Sequence, residues 1–133
     1  MFIQWQAAYE LGIPSIDGDH RMLVNKLNHF VSRSQSAAAT SELHVILGEL
    51  TAEIAAHFKH EEDLLERSDF PLLASHAAEH EKLIQQISHF RESYENTEFG
   101  ELSSDATQFL RRWLLDHLTE HDLPCAPYLR RLV

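Results

Sequence analysis

The chain has 133 residues, 44% apolar and 24% charged, enough for one folded domain with a single core and too apolar for a disordered chain. A formal net charge of −10 lacks the basic footprint of a nucleic-acid or anionic-membrane binder. A single cysteine excludes an internal disulfide framework and a thiolate-rich metal site, and four Gly and four Pro leave room for only a few turns.

Residues 1–14 read as an irregular arm, with Trp5 and Tyr9 available to pack on the body and Gly12 and Pro14 interrupting any helix. The arm lacks a basic segment followed by an apolar run, and no stretch approaches the roughly 18 apolar residues of a membrane span, so the expected location is cytoplasmic. With Ser15 or Asp17 as cap, a first helix is predicted over 16–35, its stripe carrying His20, Leu23, Leu27, Phe30 and Val31. A second, over 41–67, turns Leu43, Ile46, Leu47, Leu50, Ile54, His57, Phe58, Glu61, Leu64 and Leu65 inward. Ser68, Asp69 and Pro71 read as cap and first-turn proline of a third helix over 70–95, which carries Leu73, His76, His80, Leu83, Ile87, Phe90 and Tyr94 on one face. After a break at Asn96 to Ser104, containing Gly100, a fourth helix over 103–122 carries Ala106, Leu110, Trp113, Leu114 and His117, with His121 a further candidate, and Pro124 ends it before a short helical tail. Short breaks between long helices predict an all-α, up-and-down antiparallel four-helix bundle forming one domain over 1–133.

The anomaly is that every stripe places metal-capable side chains where core belongs. His57 and Glu61 are four apart, as are His76 and His80, so each pair projects from one helix face. His20 is in phase with Leu23 and Leu27, and His117 with Leu110 and Trp113. Burying such groups without partners costs about 1–3 kcal/mol each, and more for a charge. Imidazole and carboxylate together are good ligands for iron, zinc, manganese or copper, and a metal centre removes the conflict. A structural zinc needs about four ligands, fewer than this set supplies. Five histidines, two bridging carboxylates and a bridging oxygen fill eleven positions, one six-coordinate and one five-coordinate ion, leaving one place for a small ligand.

The sequence resembles the hemerythrin family, especially its short bacterial members, over essentially its whole length. The resemblance rests on Trp5 and Leu11-Gly12-Ile13 before Ile16-Asp17-x-x-His20, then Leu23, Val24 and Asn28. His57-Phe58-x-x-Glu61-Glu62, Phe70-Pro71 before His76-x-x-x-His80, and Trp113-Leu114-x-x-His117-x-x-x-x-Asp122 follow in order. It implies two iron ions with an oxo or hydroxo bridge, one bound by His76, His80 and His117, the other by His20 and His57, with Glu61 and Asp122 bridging. Molecular oxygen would bind at the iron held by two histidines, with no catalytic residue required. An ideal helix favours His121, four residues after His117, over Asp122; the family pattern selects Asp122 and so implies a distorted final turn, to which Pro124 contributes.

Phe58, Trp113, Leu115 and Leu118 flank ligand positions and are the candidates for a dry pocket wall. His60 and Glu62 are expected to face solvent or to support the ligands; His29, His44 and His89 join no motif, and Cys125 is read as incidental. Reversible oxygen binding as carrier, store or supplier is the leading expectation. Sensing through a separate protein partner, or removal of peroxide or nitric oxide, are the alternatives.

Overall fold

The computed structural model describes residues 2–36, 38–96 and 102–133. Four long helices carry the chain: α1 Pro14–Gln35, α2 Thr40–Arg67, α3 Leu73–Glu95 and α4 Ser104–Asp116. From α4 the chain runs on through a π-helical turn His117–Asp122, a 3-10 turn Leu123–Cys125 and a short α5 Ala126–Leu129. No strand occurs among the described residues. The four residues after α1 and the five after α2 suffice only to reverse direction, so α1 packs on α2 and α2 on α3 as antiparallel neighbours. The break read around Gly100 falls on residues 97–101, which lie outside the described residues.

The buried stripes form two apolar clusters rather than one. The larger, including Leu23, Phe30, Leu47, Ile54, Phe58, Ile87, Leu110 and Leu114, fills most of the bundle. The smaller joins Leu11, Ile13 and Ile16 to Leu65, Cys125, Ala126 and Leu129 at one end. His20 falls between Ile16 and Leu23, Glu61 between Phe58 and Leu65, and Asp122 between Leu118 and Cys125, so a polar layer separates the clusters.

Three boundary readings change. Pro14 starts α1 instead of interrupting it, because its missing N–H and fixed φ cost nothing in the first turn. Asp17 caps nothing in its own helix: its carboxylate accepts from Leu11 N (2.8 Å) and Gly12 N (3.1 Å), clipping the arm to α1. Gly12 takes φ +88°, and a Cβ there would meet Arg130 Nε at 3.0 Å. Ser68 and Asp69 end α2 rather than begin α3. Asp69 adopts φ 56°, and Phe70 N donates back to Leu65 O at 3.1 Å, which closes the helix so that α3 starts only at Leu73.

Candidate metal centre

His20, His57, Glu61, His76, His80, His117 and Asp122 are all buried, and all seven meet in the layer between the two clusters. α1 supplies His20; α2 supplies His57 and Glu61 one turn apart; α3 supplies His76 and His80 in the same way. The last pair needs a different backbone. In an α-helix residues five apart diverge by about 140° around the axis. The turn His117–Asp122 is π-helical, with Leu123 N bonding back to Leu118 O, so the residue five positions on returns to the same face. Asp122 is fully buried, whereas His121 is half-exposed with Nε2 3.8 Å from Glu79 Oε2 on α3.

Glu61 divides its oxygens. Oε1 stands 2.6 Å from His76 Nε2 and 3.1 Å from His80 Nε2, while Oε2 stands 3.2 Å from His57 Nε2 and 3.7 Å from His20 Nε2. Asp122 does the same, with Oδ1 at 3.3 Å from His76 Nε2 and Oδ2 at 2.9 Å from both His20 and His117 Nε2. His20 and His57 point Nε2 at Nε2 across 3.0 Å. Two nitrogens bound at right angles to one ion, each at about 2.1 Å, stand about 3.0 Å apart.

The ligand atoms form two groups that share both carboxylates: His20, His57, Glu61, His117, Asp122, and Glu61, His76, His80, Asp122. The resemblance pairs His117 with His76 and His80. Here its Nε2 is drawn into the other group by Asp122 Oδ2, although its ring is nearer to that of His80 (5.2 Å) than to those of His20, His57 or His76.

Whether the layer fits metal ions is tested by its own hydrogen bonding. Glu61 Oε2, both Asp122 oxygens and both His117 ring nitrogens are buried without a hydrogen-bond partner. Close approach without hydrogen-bond alignment is the signature of atoms aimed at a common centre rather than at one another, and cations placed there relieve the cost of burying them. The donor set of imidazole nitrogen and carboxylate oxygen suits iron or zinc.

Charge in the layer is internally balanced. Burial disfavours protonated His20, but the Asp122 and Glu61 carboxylates close to its Nε2 outweigh it and raise its pKa to about 9. His76 is likewise disfavoured by burial yet pushed up to about 12 by Asp122, Cys125 and Glu61. Burial pushes the Glu61 carboxyl up, and four histidines reverse this and hold it well below its usual range. Burial and the charge of Glu61 also push Asp122 up, and His117 and His20 bring it below its ordinary value.

Behind the ligands stand His60 and Glu62, which the sequence offered as supports, and Asp19, which it did not. His57 Nδ1 donates to Asp19 Oδ2 at 3.0 Å, and His60 Nδ1 donates to the same oxygen at 2.8 Å. Although burial raises the Asp19 pKa, these two bonds hold it below the ordinary value. His80 Nδ1 donates to Glu62 Oε2 at 2.9 Å. Such bonds fix the tautomer that leaves Nε2 free for a metal. Asp19 precedes a candidate ligand directly, but its contact with His57 crosses two helices, and no local spacing signals it.

Of the expected pocket residues, Phe58 stacks on His80 with ring centroids 4.1 Å apart, and Leu118 is buried in the large cluster. Trp113 donates Nε1 to Leu83 O (3.2 Å) and borders a narrow cavity of about 10 Å³ lined only by apolar residues, among them Leu23, Ile54 and Leu114. These three sit one turn from His20, His57 and His117. Leu115 is half-buried on the flank of the core, because two residues after Trp113 it faces the opposite side of the helix, and Leu114 occupies the lining position instead. Outside, an open groove of about 500 Å³ between α3 and α4 reaches Trp113 and His117.

A family model described as the hemerythrin HHE cation binding domain matches residues 11–129. A bacteriohemerythrin of Stenotrophomonas maltophilia is 31% identical over 122 residues, covering 89% of this chain and 75% of that protein. The bacteriohemerythrin of Methylococcus capsulatus is 29% identical over 129 residues, covering 94% and 95% respectively. Among solved structures, that of a wild-type hemerythrin superposes with a TM-score of 0.84 at 26% identity, covering 97% of this chain and 98% of the other.

Proposed function

The chain belongs to the hemerythrin family, and on that premise we propose that it holds two iron ions and binds molecular oxygen reversibly, as a carrier, store or supplier to another protein. One observation carries the reading: Glu61 and Asp122 each turn one oxygen toward His76 and the other toward His20, which is the arrangement of two carboxylates bridging two ions. In this reading His76, His80 and His117 would hold one iron and His20 and His57 the other, with an oxo or hydroxo group between them. When bound, the iron pair supplies the two electrons that oxygen takes up on binding and returns on release.

The chain's own residues set the conditions for reversibility. Five neutral imidazoles and only two carboxylates make the ligand set less anionic than that of the carboxylate-rich di-iron bundles, which disfavours high-valent iron and favours return to the ferrous state. The narrow cavity lined by Leu23, Ile54 and Leu114, one turn from His20, His57 and His117, is wholly apolar, which disfavours water next to the layer. Phe58 and Trp113 close the layer against the rest of the core, Phe58 by stacking on His80 and Trp113 by its bond to Leu83 O. No side chain in the layer is needed as a catalytic acid, in keeping with a non-enzymatic role.

The test is an oxygen cycle on the reduced, iron-loaded protein. Visible charge-transfer bands should appear on exposure to oxygen and vanish under argon, over several cycles. Direct oxidation to a form that argon does not reverse would shift the role to redox sensing or to removal of peroxide.

A further inference from the structure

We propose that Cys125 is a positioning residue for His76: its sulfur accepts the outer ring N–H of that histidine and thereby presents Nε2 to the metal pair. The inference rests on the metal-centre reading and adds a residue that neither the ligand pattern nor the sequence analysis assigned.

The three histidines of α2 and α3 in the layer all use their outer nitrogen. His57 Nδ1 meets Asp19 and His80 Nδ1 meets Glu62, both carboxylates. His76 Nδ1 meets Cys125 Sγ at 3.7 Å instead. The thiol is buried at 1% exposure and has an acceptor of its own, because Sγ lies 3.4 Å from His121 O. That bond takes the S–H proton and leaves the sulfur lone pairs for His76 Nδ1–H. The directions are therefore fixed: Cys125 donates to His121 O and accepts from His76. His76 is left with its Nε2 facing Glu61 Oε1 at 2.6 Å.

Sulfur is a weaker acceptor than a carboxylate. His76 is thus held in the right tautomer and orientation without the added basicity that Asp19 lends His57 and Glu62 lends His80. The contact also ties the turn Leu123–Cys125, directly after Asp122, to the first turn of α3. One side chain thereby sets the register of a bridging carboxylate and of a histidine on the facing helix.

The experiment compares Cys125→Ser, Cys125→Ala and Cys125→Val in the iron-loaded protein, and in the zinc-loaded protein as a diamagnetic probe. Release of metal to a chelator should be within about 3-fold of wild type for Cys125→Ser, whose hydroxyl still accepts. It should be roughly 10–100-fold faster for both Cys125→Ala and Cys125→Val. Nitrogen-15 NMR of the zinc form should show a protonated Nδ1 on His76 in wild type and in Cys125→Ser. In Cys125→Val that proton's signal should shift or exchange faster. Melting of the metal-free proteins separates folding from positioning, since valine keeps the bulk of the site. A Cys125→Val protein that holds its metals like wild type overturns the proposal. A wild-type protein that takes up neither iron nor zinc overturns the metal-centre reading, and this proposal with it.

Discussion

His117 Nε2 and Asp122 Oδ2 lie 2.9 Å apart although they stand five positions apart along the chain. The π-helical turn makes this possible, and it pushes His121, the residue an ideal helix would favour, out toward Glu79. Asp122→Ala should therefore lose at least one of two irons, because it removes both oxygens that face His20, His117 and His76. His121→Ala should retain both. Iron analysis of the two purified variants decides between them, and the reverse pattern would mean that the turn relaxes to an α-helix in solution.

Asp19 carries a second prediction. It holds His57 through Nδ1 and is itself shared with His60 at the surface. Asp19→Ala should weaken metal binding by roughly 10–100-fold. His60→Ala leaves the His57–Asp19 bond in place and should change it by less than about 3-fold. Competition against a chelator of known affinity reads both.

These cases mark what was legible in the sequence. Helices α1 to α4 were, because Leu23, Leu27 and Phe30, or Leu83, Ile87 and Tyr94, repeat at helical spacing with few Gly or Pro between them. The i,i+4 pairs His57–Glu61 and His76–His80 were, because one helix alone sets their geometry. Asp122 entered only through resemblance, since its place depends on a backbone irregularity that no propensity encodes. Glu62 could be read as a support because it adjoins Glu61, but Asp19 and Cys125 act across helices, and contacts between helices leave no period in a single chain. Ser68 and Asp69 misled because the residue types that cap a helix start also suit a helix end, here with Asp69 in the left-handed region.

Acidity gives a third prediction, for the metal-free protein. His20 and His76 have folded pKa values of about 9 and about 12, both above the ordinary histidine value of 6.5. The folded state therefore binds more protons than the unfolded chain above pH 6.5. Their contribution to stability is complete below that pH and is lost as pH rises, through about 9 for His20 and about 12 for His76. Melting temperature should fall from pH 6.5 upward in the metal-free protein. Metal binding must displace the same protons, so it should acidify an unbuffered solution and tighten as pH rises. Uptake without proton release would contradict this.

Ile54 tests the dry cavity. It is buried at 1% exposure, one turn from His57, and lines the narrow apolar space. Ile54→Ala should cost about 2–5 kcal/mol of stability by denaturant unfolding, as core truncations do. Removing this bulk one turn from His57 should also loosen the wall between the layer and the core, and the oxygenated form should then convert to the oxidised form several-fold faster than in wild type. Unchanged lifetime alongside the stability loss would show that this cavity does not guard the site.

The central claim is that one buried layer of five histidines and two carboxylates holds a pair of irons. Iron analysis combined with Mössbauer spectroscopy of the aerobically purified protein tests it most directly. The account predicts about two irons per chain, both ferric and magnetically coupled through a shared bridge. A single uncoupled iron, or one zinc with no iron after iron-replete growth, would contradict it.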